Sequence, residues 1–278
     1  MNKKIGIILA LVFIAFLVMG SASAGIFDFL NGGNNNSTRV NNDNNTFIVG
    51  FDSEFPPYGF SDGKGGYQGF DLDLAQEVCN RNNWTLVKQP IDWDAKDAEL
   101  NSGTIDCIWN GFTINGREKD YTWSQAYIVN KQVVVVKEDS GINSLADLKG
   151  KTVETQKDSS ALAALKGDNK TLGDSFAKLV EVADYNTGIM DLKSGACDAV
   201  ALDIGVAQYQ VTNGNNTGLK ILNDSISSEQ YGIGFKLGNT ALKDQVQKTL
   251  DEMYADGTVS KIAENYSSYG VPGSLIKK

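Results

Sequence analysis

The chain has 278 residues, and its 34 acidic side chains outnumber its 25 basic ones, which gives a formal net charge of −9. This acidic balance argues against nucleic acid and anionic membrane surfaces as partners, because both attract basic patches. The absence of histidine excludes Ser-His-Asp and Cys-His nucleophilic chemistry and removes the commonest metal ligand. We accordingly expect no enzyme of these classes, no metal and no cofactor.

The first 24 residues have the pattern of a secretory signal peptide. Lys3 and Lys4 precede an almost wholly apolar segment, Ile5 to Met19, and Ala22-Ser23-Ala24 matches the cleavage site. A membrane helix is the alternative, but the apolar segment falls short of about 20 residues. Residues 25–45 are rich in Asn and Gly and are typical of a disordered tether. The residue directly after the cleavage site is Gly25 and not a cysteine, so we expect an exported periplasmic or cell-surface protein without the usual lipid anchor.

The three cysteines are interpreted as free thiols. An exported protein often contains disulfides, but three is an odd number and Cys is a common small core residue. Each cysteine also lies in an apolar helix face or strand of the predicted pattern, at Cys79, Cys107 and Cys197.

Apolar periodicity predicts strands alternating with helices along the rest of the chain. Strands are predicted at 46–50, 84–87, 107–109, 133–136, 152–155, 179–182, 198–202 and 230–235. Helices are predicted from Asp71 as N-cap, at about 95–101, 144–150, 161–165, 187–193, 240–255 and 257–267. This order indicates an α/β protein with mainly parallel sheets flanked by helices.

A short unit occurs twice and indicates two lobes. Residues 100–106, LNSGTID, correspond to residues 192–198, LKSGACD, and each copy has Gly where a helix ends. Each is followed by an apolar strand that ends in polar residues. Because ligands of open α/β sheets bind beyond the carboxyl ends of strands, we expect one cleft between two lobes. Lobe 1 is predicted over 46–136 and 230–278, and lobe 2 is the insertion 137–229.

Aromatic residues provide candidate walls for this cleft. Phe55 follows the first strand, and Trp93 lies between Asp92 and Asp94, which makes full burial unfavourable and a cleft wall natural. The alternative for each aromatic residue is a place in the core or at its rim.

Polar strand ends provide candidate ligand contacts. Asn110-Gly111-Phe112-Thr113 follows one strand, and Gly111 allows a ligand close to the backbone. Arg117 offers a planar fork for a carboxylate, with a solvated surface arginine as the alternative. Ser159 and Ser160 open a helix, where they cap it or face an anion. Asp203 at a buried strand end suits an ammonium group. A carboxylate receptor and an ammonium receptor together fit the constant part of an α-amino acid.

At this point the chain resembles the family 3 extracellular solute-binding proteins, the amino-acid receptors of ABC importers. The segment Gly69-Phe-Asp-Leu-Asp-Leu-Ala75 is similar to the family signature. The resemblance extends from about Phe47 to Tyr266 and includes the start Asp52…Phe55-Pro-Pro-Tyr58, Thr113…Arg117, Asp198-Ala-Val…Asp203 and Gln230-Tyr-Gly-Ile-Gly-Phe235. It implies a type II periplasmic-binding fold that closes over one amino acid.

The resemblance also implies roles for individual residues. Arg117 would hold the α-carboxylate with backbone N–H groups of Thr113 and Ser160. Asp203 would hold the α-ammonium group with the Gly111 carbonyl and the Thr113 hydroxyl. The side chain would lie between Phe55 and Trp93, with Asp52 near a polar or cationic end. One departure is the spacing from Thr113 to Arg117, which is one residue shorter than usual, and Gly116 is a residue able to absorb the difference.

The predicted function is capture of a polar L-amino acid (Arg, Lys, His or Gln class) and its delivery to the membrane permease of an ABC importer. We expect a monomer that performs no chemistry.

One alternative is an enzyme on the same fold, such as a dehydratase, with Asp52 and Asp203 as acid and base. Against it, no further domain follows Tyr266 and no nucleophile–base pair is visible. Another is a ligand-sensing ectodomain read by a separate partner.

Overall fold

The computed structural model describes residues 45–212 and 215–278. The predicted signal peptide and residues 25–44 of the predicted tether lie outside the described residues. Within the described ranges, no helix combines the length and the apolar character needed to cross a membrane.

Short strands alternate with helices throughout the described part of the chain. The strands are β1 (Thr46–Phe51), β2 (Glu54–Phe55), β3 (Gly59–Ser61), β4 (Tyr67–Gln68), β5 (Thr85–Pro90), β6 (Cys107–Ile108), β7 (Thr122–Trp123), β8 (Ile128–Lys137), β9 (Thr152–Gln156), β10 (Lys178–Val182), β11 (Ala199–Asp203), β12 (Leu219–Ile221), β13 (Ser227–Tyr231) and β14 (Gly234–Phe235). The α-helices are α1 (Phe70–Asn82), α2 (Lys96–Ser102), α3 (Ser160–Lys166), α4 (Lys170–Gly173), α5 (Tyr185–Ser194), α6 (Ile204–Thr212), α7 (Thr240–Ala255), α8 (Thr258–Glu264) and α9 (Val271–Ser274). Short 3-10 helices cover Trp93–Ala95, Leu145–Leu148 and Ser267–Tyr269.

Two separate sheets form the centres of the fold. The first has the order β5-β1-β6-β14-β7, with β1 parallel to β5 and β6 and β14 antiparallel to both of its neighbours. The second has the order β10-β9-β11-β8-β12, with β13 also paired to β8. Its strands β9, β10 and β11 run parallel, and β8 runs antiparallel to β11, β12 and β13. This arrangement confirms the predicted two-lobed α/β fold, but the sheets are mixed and not mainly parallel, because β8 and β14 run antiparallel to their neighbours.

The chain changes sheet between β7 and β8 and again between β13 and β14. The connecting segments are hydrogen-bonded to each other, because the Ser124 N–H donates to the Ile233 carbonyl and the Tyr127 N–H to the Tyr231 carbonyl, each at 3.0 Å. We call the part built on the first sheet the first lobe and the part built on the second sheet the second lobe. The predicted boundaries at 136/137 and 229/230 lie within β8 and β13, and both strands belong to the second sheet; the division into those ranges stays a prediction.

The repeated unit has the same structure in both lobes. α2 ends at Gly103 and α5 at Gly195, with φ of 80° and 88°, the left-handed conformation that favours glycine. The aspartate that ends each unit then fixes the neighbouring strand: Asp106 accepts from the Ile48 N–H and Asp198 from the Thr152 N–H, both at 2.8 Å. The two strands that follow, β6 and β11, run parallel to β1 and β9 respectively.

Two predicted elements are corrected. Asp71 is not an N-cap, because α1 begins at Phe70 after Gly69, whose φ is 142°. A Cβ at Gly69 would lie 2.2 Å from the Tyr58 carbonyl oxygen, so only glycine fits there. The predicted strand 230–235 is two strands, β13 and β14, because the chain passes from one sheet to the other at residues 232–233. The three cysteines are buried free thiols.

Candidate functional site

Four strand ends meet between the lobes. Asp52 follows β1 and residues 110–113 follow β6 in the first lobe, while residues 158–160 follow β9 and Asp203 ends β11 in the second lobe. A cavity of about 10 Å³ lies between them, which is room for about one water molecule. Its lining includes the predicted residues Phe55, Trp93, Gly111, Thr113, Arg117, Ser159, Ser160 and Asp203, together with Gln156 and Tyr185.

Arg117 reaches from the first lobe to the second. Its Nη1 donates to the Thr113 carbonyl at 3.3 Å and its Nη2 to the Asp158 carbonyl at 3.1 Å. The guanidinium also lies 5.3 Å from the centre of the Phe112 ring. Gly116, with φ of 80°, forms the turn closed by the Arg117 N–H and the Ile114 carbonyl at 2.9 Å. The shortened spacing is therefore accommodated by a left-handed residue, which glycine adopts readily.

The two serines at the start of α3 have different roles. Ser159 is the N-cap, and its Oγ accepts from the Leu162 N–H at 3.1 Å. The Ser160 Oγ donates to Glu229 at 3.0 Å and lies 3.2 Å from the Thr113 hydroxyl of the first lobe. Thr113 also donates to Glu229 at 2.9 Å. One small network thus joins the lobes at this point.

Asp203 is buried beside this network. Its Oδ1 accepts from Asn130 and Gln132, each at 2.7 Å, and from the Tyr231 hydroxyl at 2.5 Å. Burial, and secondly the neighbouring Glu229 carboxylate, raise the pKa of Asp203 to about 7. An ammonium group suits this position because it would return the carboxylate to its ionised form.

Asp52 and Asn110 lie next to the small cavity and do not line it. The Asn110 Oδ1 accepts from the Asp52 N–H at 3.1 Å, which ties the ends of β1 and β6 together. The Asp52 carboxylate accepts from the Glu54 N–H at 2.8 Å and from Gln156 of the second lobe at 2.6 Å. It is both a turn cap and an interlobe contact, and burial raises its pKa to about 6.

Asp52 faces a second cavity of about 290 Å³, which shares Trp93 with the first. The lining of this second cavity is strongly acidic. It has one amine, Lys157, and the carboxylates of Asp52, Glu54, Asp92, Asp94 and Asp184. The surplus of negative charge suits a cationic group.

The predicted aromatic walls are held by other rings. Phe55 is buried, with ring centres 5.8 Å from Tyr58 and 6.0 Å from Tyr185. Trp93 is half-buried and meets Phe112 edge to face at 5.5 Å. Such contacts fix the orientation of an aromatic ring and add about 0.5–1.5 kcal/mol each.

Asp71 is buried behind Gly111 and holds the backbone of the site in place. It is fully buried, and its Oδ2 accepts from the Gly111 N–H at 2.6 Å and from the Tyr127 hydroxyl at 2.8 Å. Burial raises the pKa of Asp71 to about 7. The family signature therefore has a direct structural purpose, because its first aspartate fixes the backbone of Gly111 at the cleft.

Lys96 and Asp158 form an ion pair across the cleft mouth. Lys96, in α2 of the first lobe, is only 1% exposed, and its ammonium lies 5.3 Å from the Trp93 ring centre. The Asp158 side chain is 51% exposed. Asn186 and Glu54 make a further contact between the lobes. Together with the Gln156–Asp52 and Thr113–Ser160 contacts, these pairs join the two lobes.

Comparison with known proteins supports the resemblance that the signature carries. The bacterial extracellular solute-binding proteins, family 3, match residues 47–269. The L-cystine-binding protein TcyA of Bacillus subtilis (strain 168) is 30% identical over 221 residues, covering 78% of this chain and 80% of that protein.

Solved structures lead to the same family. A substrate binding protein of an ABC uptake transporter from Streptococcus pneumoniae, with bound histidine, has 32% identity and a TM-score of 0.77, covering 80% of this chain and 92% of that one. An ancestral arginine-binding protein bound to arginine has 38% identity and a TM-score of 0.73, covering 80% and 98%. The chain therefore belongs to the bacterial extracellular solute-binding proteins, family 3.

Proposed function

We propose that this protein is an exported receptor that captures one polar L-amino acid between its lobes and delivers it to the permease of an ABC importer, without chemistry on the ligand. The observation that carries the proposal is the pairing of Arg117 and Asp203 on one cavity between the lobes. A guanidinium and a buried carboxylate are complementary to the α-carboxylate and α-ammonium groups of an amino acid. Closure over the ligand would create the form that the permease recognises.

The acidic second cavity supports an amino acid with a cationic end. Its five carboxylates against one lysine favour Arg, Lys or protonated His over Gln within the proposed class. L-Cystine is a second candidate, because its distal zwitterion has an ammonium group for these carboxylates and a carboxylate for Lys157, and the relative TcyA is an L-cystine-binding protein.

Thermal unfolding tests the proposal directly. The purified protein, freed of bound ligand by unfolding and refolding, is heated with each of the twenty amino acids and with L-cystine. A ligand at about a thousandfold over its Kd adds roughly 4 kcal/mol, a shift of several degrees. A shift with one or a few polar amino acids supports the proposal, and no shift with any of them contradicts it.

Asp52→Asn is expected to change selectivity more than overall binding. A hydrogen bond to a charged group contributes about 1.5–3 kcal/mol, so we expect affinity for L-arginine to fall about 10- to 100-fold and that for L-glutamine to change little. Because the pKa of Asp52 is about 6, the wild type should lose its preference for arginine over glutamine as the pH falls below that value. The relative affinities of the variant should not change with pH in this range. Calorimetric titration at pH 5 and pH 8 measures both effects.

The matched control for this variant is Asp94→Asn. It removes the same charge from an exposed position of the same cavity, where water screens the interaction. Equal losses in the two variants would show that only the overall charge of the cavity matters.

The Lys96–Asp158 pair is expected to set the closing equilibrium. Asp158→Asn leaves a buried ammonium without its carboxylate, a change that costs about 3–5 kcal/mol, and the lobes would open to solvate it. Lys96→Met leaves a carboxylate that is already half in water, so its effect should be smaller. Both variants are compared by amino-acid affinity and by the radius of gyration in solution scattering. Equal effects would contradict a role for the buried ammonium.

A further inference from the structure

A second buried carboxylate, Glu229, lies beside Asp203 and is 6% exposed. Strand register explains the proximity. In β8, Gln132 pairs with Asp203 of β11 on one side, and Asn130 pairs with Glu229 of β13 on the other. Two amides on the middle strand are thus flanked by two carboxylates, one on each neighbouring strand.

The two carboxylates share the same hydrogen-bond donors. Asn130 Nδ2 lies 2.7 Å from both the Asp203 Oδ1 and the Glu229 Oε1, and Gln132 Nε2 lies 2.7 Å and 2.8 Å from them. An amide nitrogen has two protons, and Gln132 Nε2 also lies 2.8 Å from the Ser160 Oγ, so its two protons serve three acceptors. The Asp203 and Glu229 carboxylates therefore contact the same two amide nitrogens.

This cluster is short of positive charge. None of the ion pairs among residues 45–212 and 215–278 includes Asp203 or Glu229. The amide oxygens of Asn130 and Gln132 are buried and have no hydrogen-bond donor within the described part of the chain. Two carboxylates and two amide oxygens in one buried place form a strong site for a group that carries several N–H donors and a positive charge.

We propose that Glu229 is a second ammonium-binding residue of the cleft, and that the α-ammonium group of the ligand binds between Glu229 and Asp203 and displaces a proton from Asp203. The inference rests on the proposed function and adds a residue and a proton step to it. The hydroxyls of Thr113 and Ser160 also donate to Glu229, so the same carboxylate connects the ammonium site to both lobes.

The charge balance gives the sign of the pH dependence. Asp203 is buried beside a second carboxylate, so it retains a proton near neutral pH when no cation is present. An ammonium ion supplies that cation, so binding releases the proton. Affinity should therefore fall as pH decreases below about 7, the value to which burial and Glu229 raise the pKa of Asp203, and it should be constant above it.

Other groups near the pair do not share this titration. Burial keeps the pKa of the Tyr58, Tyr185 and Tyr231 phenols well above the usual value, so all three stay protonated. Asp71 titrates near pH 7 but lies behind Gly111, and the Arg117 guanidinium is on the carboxylate side of the cleft. Asp52 titrates near pH 6 at the other cavity. It is present in both the wild type and Glu229→Gln, so it does not contribute to the difference between them.

The test is calorimetric titration of wild type and Glu229→Gln with L-arginine, or with whichever amino acid the thermal screen selects. Each titration is made at pH 6 and pH 8.5 in two buffers of different ionisation heat, which counts released protons. We expect the wild type to release up to about one proton from Asp203 at pH 6 and almost none at pH 8.5. Glu229→Gln should release less at pH 6, because burial still raises the pKa of Asp203 but the second carboxylate no longer does.

Affinity for an analogue isolates the ammonium group. At pH 8.5, Glu229→Gln should weaken L-arginine binding about 10- to 100-fold and that of 5-guanidinopentanoate, which lacks the α-amino group, less than about twofold. The matched control is Glu154→Gln, a buried glutamate of β9 whose carboxylate lies beside Asp191 of α5 and not beside Asp203, and it should leave both affinities unchanged.

Three results would overturn the proposal. Absence of proton release from the wild type at pH 6 does so without any variant. Equal weakening of both ligands by Glu229→Gln would show a purely structural role, and tighter binding would show that Glu229 competes with the ligand for Thr113 and Ser160. Failure of the wild type to bind any amino acid would instead contradict the proposed function itself, and the inference with it.

Discussion

Replacement of Arg117 by alanine is expected to abolish amino-acid binding and leave the fold intact. Arg117 is the cationic group among the side chains that line the small cavity between the lobes. Without it, the α-carboxylate of a bound ligand would be buried without a counter-charge, which typically costs about 3–5 kcal/mol. The expected result is a loss of more than about a hundredfold in affinity. Calorimetric titration and thermal unfolding without ligand separate the two parts of the prediction.

Arg81→Ala is the matched control for this variant. Arg81 is also in the first lobe, but it pairs with Glu77 and Asp256 outside the cleft, each at 2.8 Å. Its removal should cost up to about 1 kcal/mol of stability and no affinity. Arg117→Lys should recover part of the binding, because lysine keeps the charge and loses the planar fork. Wild-type affinity in Arg117→Ala would show that the carboxylate site lies elsewhere.

Local sequence signals were sufficient for most of the fold. Gly103 and Gly195 identify two helix ends because the residue after a helix often takes the left-handed conformation that favours glycine. The apolar strands after them are buried as predicted. The return strand was mispredicted because an apolar alternation does not reveal which sheet each residue joins. At Gly232 the chain leaves β8 for the first sheet, and this change depends on tertiary contacts alone.

The site also contains residues whose positions depend on tertiary contacts and cannot be predicted from the sequence. Asp203 and Thr113 follow apolar strands, so their positions at strand ends are readable from sequence. Glu229 has no such signal, because it lies in a polar stretch and becomes part of the cleft only through its register opposite Asn130. A weak signal did exist in β8, where Ile128, Asn130 and Gln132 alternate on the buried side. Polar residues at buried positions of an apolar strand indicate a polar network.

Lys96 was missed for a different reason. A lysine in the first turn of a short helix is usually exposed, and nothing local indicates that Asp158 of the other lobe covers it. Its burial is a property of the closed arrangement of the lobes. Residues of this kind report on conformation and can be identified only when both lobes are placed together.

Asp203→Asn is expected to abolish binding as completely as Arg117→Ala and, unlike that variant, to stabilise the ligand-free fold. The asparagine keeps an oxygen for the bonds from Asn130 and Gln132 but loses the charge that an ammonium group needs, a loss of about 3–5 kcal/mol. Because burial raises the pKa of Asp203 above that of an unfolded aspartate, the ionised carboxylate destabilises the ligand-free fold above about pH 4. That cost increases until the pH passes about 7.

The variant removes this cost, so it should unfold at a higher temperature than the wild type at pH 8 and at nearly the same temperature at pH 4. Asp198→Asn, just before the same strand, is the matched control, because the Asp198 carboxylate accepts from the Thr152 N–H outside the cleft. It should lower the unfolding temperature and leave affinity unchanged. A more stable protein that binds no amino acid would identify Asp203 as a residue kept for binding at the expense of stability. A variant that binds normally would refute the ammonium site, and one that is less stable at pH 8 would refute the electrostatic argument.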